Sequence, residues 1–140
     1  MFDAILAAAL STVTVRAPKA DLTLEVARTE AQREYGLMNR TSLAPHAGMI
    51  FVFPGDGPID FWMKDTLIPL DMVFIGADGT VRKIYHRVPV LPPKTPDAKI
   101  PLEAGKAQYV IELAAGDAEV EGLADGVKLD LKGVPPALPQ

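Results

Sequence analysis

Two stretches near the N-terminus alternate apolar and polar residues. Val13 and Val15 alternate with Thr12, Thr14 and Arg16, and Leu22, Leu24 and Val26 alternate with Thr23, Glu25 and Ala27. A period of two predicts strands with one solvated face. Gly48–Phe53 and Leu70–Ile75 are instead almost continuously apolar, the pattern of strands buried on both faces. Ile59–Met63, Thr80–Tyr85, Gln108–Leu113 and Val127–Leu131 complete the predicted strands. The run Pro54-Gly55-Asp56-Gly57-Pro58 predicts a turn, and Gly76-Ala77-Asp78-Gly79 predicts a hairpin into Thr80–Tyr85.

Helical signals are few. Thr29-Glu30-Ala31-Gln32 has the spacing of a capping box, with Thr29 as the cap, and Gly36 closes the helix. A helix of about seven residues is marginal alone, so it must dock on the sheet. Gly116–Leu123 fits one or two further helical turns. Between the last strands, residues 86–106 carry five prolines and no periodicity, which predicts an unusually long loop. Seven or eight strands joined by short turns predict a mainly β (β-rich α+β) domain over residues 12–133. The expected architecture is a small barrel- or sandwich-like curled antiparallel sheet with one or two short peripheral helices. Residues 1–11 form a short apolar segment and 134–140 a C-terminal tail.

Composition narrows the function. At 140 residues and 49% hydrophobic, the chain suits one core without staples. The absence of cysteine excludes a disulfide framework, thiolate metal ligation and a cysteine nucleophile. Net charge is −4 and no basic run exceeds Arg82-Lys83, so a phosphate-neutralising stripe is missing and nucleic acid is not expected as a partner. No apolar stretch reaches the roughly 20 residues of a membrane span. Ile5–Leu10 is too short for a secretory leader and follows Phe2 and Asp3 rather than basic residues, so it reads as a short helix or a leader stub. His46 and His86 lack metal-ligand spacing and read as surface residues. Met38, Met49, Met63 and Met72 read as core filling. No nucleophile elbow or phosphate-binding glycine loop occurs. No catalytic residue, metal or cofactor is therefore expected.

Three acids interrupt apolar strand faces. Asp71 lies between Leu70 and Met72, Glu112 between Ile111 and Leu113, and Glu25 in a milder setting beside Thr23. A buried carboxylate is costly unless paired or hydrogen-bonded. Candidate partners are Arg33, Arg40, Lys64 and backbone donors. Asp71 and Glu112 read either as an acid and base pair or as groups that pin loops. The densest chemical stretch is Phe61-Trp62-Met63-Lys64-Asp65-Thr66. There Trp62 and Lys64, with Arg40 as a second cation, form a candidate anion or small-ligand site.

The order Gln32-Arg33, Gly36-Leu37-Met38, Arg40, Gly48-Met49-Ile50-Phe51, Phe53, FWMKDTLIPLDMVFI at 61–75, Asp78-Gly79 and Tyr109–Leu113 resembles the bacterial and archaeal domain of unknown function 192 family. The resemblance runs from about Leu22 to Leu131. It implies a small β-rich domain, often behind an export leader, with recurrent polar positions at Arg33, Arg40, Lys64, Asp65, Thr66, Asp71 and Glu112. Asp65 stands where the family usually has Asn, and Asp125-Gly126 reverses the usual Gly-Asp. Three functions follow as expectations. The first is a non-catalytic module, periplasmic or extracytoplasmic, that binds a small ligand or protein through Arg40, Trp62, Lys64, Asp65 and Thr66. The second is a structural protein in which Arg33, Asp71 and Glu112 pin loops. The third is a hydrolase or isomerase using Asp71 and Glu112.

Overall fold

A computed structural model describes residues 10–139. The segment Ile5–Leu10 lies outside these residues except for Leu10, which packs against the core. Six strands form one mixed sheet: β1 (Thr12–Arg16), β2 (Asp21–Ala27), β3 (Ala47–Phe61), β4 (Leu70–Ile75), β5 (Val81–Val88) and β6 (Glu103–Ala114), in the spatial order β1-β2-β3-β6-β4-β5. The mainly β class is as expected, and the sheet curls without closing into a barrel. Its pairing departs from the antiparallel expectation at one junction. β2 and β3 run parallel, from Thr23↔Ala47 to Ala27↔Phe51, because the chain crosses over between them through α1 (Glu30–Tyr35).

The two apolar runs sit where their pattern requires. β4 is buried along its whole length, and β3 is buried from Gly48 to Val52. Both pair with β6 at the centre of the sheet. One face carries Leu22, Leu24, Val26, Ile50, Val52, Val73, Ile75, Ile111 and Leu113 beneath Ala118, Leu123, Leu129 and Leu131 of the C-terminal segment. The other carries Met49, Phe51, Leu70, Met72, Phe74 and Val110 beneath Leu37 and Met63. The free edge at β5 exposes Arg82, Lys83, His86 and Arg87, charges and polarity that oppose edge-to-edge pairing.

Three local expectations are corrected, and a fourth is narrowed. Residues 54–58 do not turn the chain. They bulge out of one long strand, since pairing with β6 breaks after Val52↔Tyr109 and resumes at Gly57↔Ala107. Pro54 and Pro58 cannot donate to the ladder, which favours the bulge. At its tip Asp56 receives two hydrogen bonds from Arg82, at 2.8 and 2.7 Å, and this pair holds the Asp56 carboxyl below the usual carboxylate range. Val127–Leu131 makes only the isolated bridge Thr80↔Lys128, and Leu129 and Leu131 serve as a lid on the core. The long loop is shorter than its prolines suggest, because β5 reaches Val88 and β6 begins at Glu103. Gly116–Leu123 yields a single turn, α2 (Asp117–Val120).

α1 forms through its capping box. Thr29 Oγ1 accepts from the Gln32 N–H at 3.1 Å, and Gln32 Oε1 accepts from the Thr29 and Arg28 N–H groups at 3.2 and 2.8 Å. Gly36 ends it with φ 50°, a conformation that favours glycine. Thr29→Ala is expected to lower stability by about 1 kcal/mol in chemical denaturation. Gly48→Ala is expected to cost clearly more, since a Cβ there would overlap the Glu112 carbonyl oxygen across the β3–β6 pair. A neutral Gly48→Ala variant would contradict this packing.

Candidate functional site

Alternation along β4 and β6 separates the two buried acids. Asp71 shares its face with Val73 and Ile75, under the C-terminal segment. Glu112 shares the opposite face with Val110, and its strand neighbours are Met49 and Met72. They therefore cannot act as a paired acid and base across one cleft, and the geometry of the hydrolase or isomerase expectation is absent.

Asp71 is fully buried. Its Oδ1 accepts from the Arg87 N–H at 2.8 Å, and its Oδ2 accepts from Gly116 and Ala118 N–H at 3.0 and 2.8 Å. Gly116, the residue before α2, has no side chain to cap that helix. Asp71 supplies the cap from a distant strand. Its other oxygen holds Arg87, whose φ of 52° places a bulky residue in the left-handed region, at a cost of about 1–3 kcal/mol.

Glu112 is 4% exposed and makes no hydrogen bond to any described residue. Burial pushes its carboxyl up to about 8, and the charge of Glu103 on the same strand adds to the rise. It lies in a cavity of about 360 Å³ between the sheet and α1. Phe51, Phe53, Phe61 and Trp62 form the aromatic lining, and Gly36–Met38 closes the helix side. Phe51 and Phe61 meet edge to face with centroids 4.8 Å apart. Glu30, Glu34 and Asp60 are exposed at its mouth.

The candidate residues divide around this cleft. Trp62, Lys64, Thr66 and Arg33 line it. Trp62 is 37% exposed, and Lys64 lies over its ring, with the ammonium 5.4 Å from the centroid and 2.9 Å from Asp97 Oδ2. Thr66 is buried and donates to the Lys64 carbonyl at 3.1 Å. Arg33 donates to the Arg28 and Val52 carbonyls at 2.9 and 3.0 Å and lies over Phe53 at 5.1 Å. Burial lowers its pKa. Arg40 and Asp65 are not among the lining residues. Arg40 is held by Glu25 through two hydrogen bonds of 3.0 and 2.7 Å, so it adds no cation to Trp62 and Lys64. Asp65 adopts φ 52° and its carbonyl accepts from Asn39 N–H at 2.9 Å. Asn and Asp are the side chains best tolerated in that conformation, which explains why either suits the position.

Sequence reasoning missed three features. Glu103 carries a buried oxygen without a partner among the described residues, and its burial raises its pKa. Its neighbours Ala104 and Gly105 give no apolar pattern that would reveal burial. Glu121 is buried and meets the surface-exposed His46, with Oε2 and Nδ1 2.6 Å apart. The acidic mouth depends on packing α1 beside Asp60, which no local pattern encodes. Among the described residues, no group of three or more His, Asp or Glu is placed to hold a metal ion. None of their helices is long and apolar enough to cross a membrane.

A family model described as "Uncharacterized ACR" matches residues 12–131. The chain belongs to the domain of unknown function 192 family. No curated protein matches it. Two solved structures of similar fold bracket the family core. One is described as a "putative transcription regulator" from Sinorhizobium meliloti 1021, with 36% identity and a TM-score of 0.77 over 87% of this chain and 95% of that one. The other is a protein of unknown function from Novosphingobium aromaticivorans DSM 12444, with 32% identity and a TM-score of 0.70 over 86% and 84%. Within the family signature at 61–75, the first half borders the cleft, through Phe61, Trp62, Lys64 and Thr66. The second half is core strand.

Two outcomes test this division of labour. Asp71→Ala leaves three N–H groups, two of them buried, without their acceptor and is expected to cost at least about 3 kcal/mol. A loss below 1 kcal/mol in urea unfolding would refute the pinning role. Glu112 should shape the pH profile differently. The unfolded chain releases this proton near the ordinary value of 4.5, and the folded chain near 8. The native state thus holds the extra proton between these values. Stability should fall as pH rises through that window, by up to about 1.4 kcal/mol per unit, and level off above it. Glu112→Gln should remove that slope, and parallel profiles for the two proteins would show that Glu112 is not buried as described.

Proposed function

We propose that this protein is a small-ligand-binding module whose site is the aromatic cleft over Glu112. One observation carries the reading. A nearly fully buried carboxyl group with no hydrogen-bond partner among the described residues faces a cavity large enough for a small molecule. Burying such a group unpaired costs free energy, and a ligand that bonds to it recovers that cost. The cavity volume of about 360 Å³ falls at the lower end of the range for small-molecule sites, and its walls have the aromatic character those sites favour.

The remaining polar residues support structural roles in the fold. Asp71, Arg40 and Arg33 spend their hydrogen bonds on backbone groups or on Glu25. The transcription-regulator description belongs to the relative. For this chain, a net charge of −4 and a longest described helix of six residues offer little to a DNA groove. The extracytoplasmic setting implied by the family resemblance belongs with this reading, and a cysteine-free chain is compatible with it.

Trp62 is the single tryptophan, so its emission reports on the cleft mouth. Titration with millimolar benzyl alcohol, benzylamine and benzoate is expected to change that emission saturably for at least one of the three. It should also shift the backbone amide resonances of Gly36–Met38. No response in either signal from any of them would remove the cleft as a binding site.

A further inference from the structure

We infer that the cleft takes a small organic ammonium, seated with its N–H groups on the Glu112 carboxylate and its apolar body against Phe51 and Phe61. The inference rests on the binding-module reading above and adds the ligand's chemical class.

Charge placement argues for a cation. From α1, Glu30 and Glu34 stand at the mouth, and from β3, Asp60 does. Glu103 on β6, outside the cleft lining, adds its negative charge to the surroundings of Glu112. The two lining bases are held in place, and one of them is paired with an acid. Lys64 is paired with Asp97 and lies over Trp62, and Arg33 is tied to two backbone carbonyls and lies over Phe53. An incoming carboxylate or phosphate would meet this acidic surround with Lys64 already paired with Asp97 and only Arg33, faced by Glu30, left to receive it. An ammonium would meet acids, and its alkyl or aryl body would meet rings. The ring faces at the mouth already hold cations, which is the interaction expected between such faces and positive charge.

The docking step has a defined proton balance. Near neutral pH the free site holds Glu112 protonated, because burial and Glu103 oppose its charge. When the ammonium enters, the Glu112 proton leaves to solvent. The ammonium N–H groups then donate to the carboxylate left behind. One positive charge enters as one leaves, so the buried site keeps its net charge.

The test is calorimetry of benzylamine and benzyl alcohol in two buffers of different ionisation enthalpy at pH 7. Benzylamine is expected to release close to one proton per molecule bound, and the alcohol none. Benzylamine affinity should rise about tenfold per pH unit between pH 6 and 7.5, because only the deprotonated Glu112 accepts it. At pH 8.5, Glu112→Gln should weaken benzylamine by at least about tenfold and leave the alcohol within about threefold. Benzylamine bound without proton release, or bound no more tightly than the alcohol or benzoate, would overturn the ammonium assignment while leaving the cleft a binding site. Failure of all three probes to bind would overturn both.

Discussion

The Asp71 carboxylate is fully buried, and its two oxygens accept three backbone N–H groups from two separate segments. Taking such a group out of water costs several kcal/mol, and only near-complete hydrogen bonding offsets it. The arrangement is thus all or nothing. With all three donors in place, the end of β5 and the start of α2 are fixed to the central strand β4. With any one displaced, a charged group is left short of partners in the core. The left-handed Arg87 and the capless Gly116 are tolerable only because this carboxylate holds them. The C-terminal segment that covers one face of the sheet is therefore positioned by a polar contact and then stabilised by apolar ones.

The second buried acid follows the opposite logic. Glu112 has a similar strand setting and similar burial, but among the described residues no loop donates a hydrogen bond to it. Above it lie α1, a glycine and aromatic edges, which leave a cavity. Two carboxyl groups on neighbouring central strands thus meet different surroundings because the sheet's pleat sends them to opposite faces. The covered face is closed by the C-terminal lid, and the other stays partly open beside α1.

Much of this was legible in the residues. Period-two alternation marked β1 and β2, and continuous apolar runs marked β3 and β4, because those patterns follow directly from which faces are buried. The Thr29–Gln32 box and Gly36 placed α1 to within a residue, since capping is a local chemistry. Asp71 and Glu112 stood out because a charge between two apolar strand residues has few explanations. Their opposite faces also followed in principle from strand parity, but only once the register of β4 against β6 is known, and register is a tertiary property. The bulge at 54–58 carries the signature of a turn, because Pro and Gly punctuate both features alike. Whether the chain reverses depends on whether β6 extends to pair with Ile59–Phe61, and Glu103–Lys106 carry no apolar signal of that pairing. Arg40 was grouped with Trp62 and Lys64 by sequence proximity, whereas Glu25 on β2 captures it.

The wall of the cleft has an unusual weakness. α1 has six residues, buries none of them completely, and makes few hydrogen bonds of its own, so docking and its cap keep it helical. It is also the crossover between the two parallel strands, tethered to the sheet at both ends. Such an element sits at the low end of a protein's local stability scale, where amide protons exchange first. A molecule lodged between α1 and the sheet adds to the same contacts that fold the helix. Occupancy of the cleft and order of the crossover are therefore two measures of one equilibrium, and slowed amide exchange in α1 would report filling of the site.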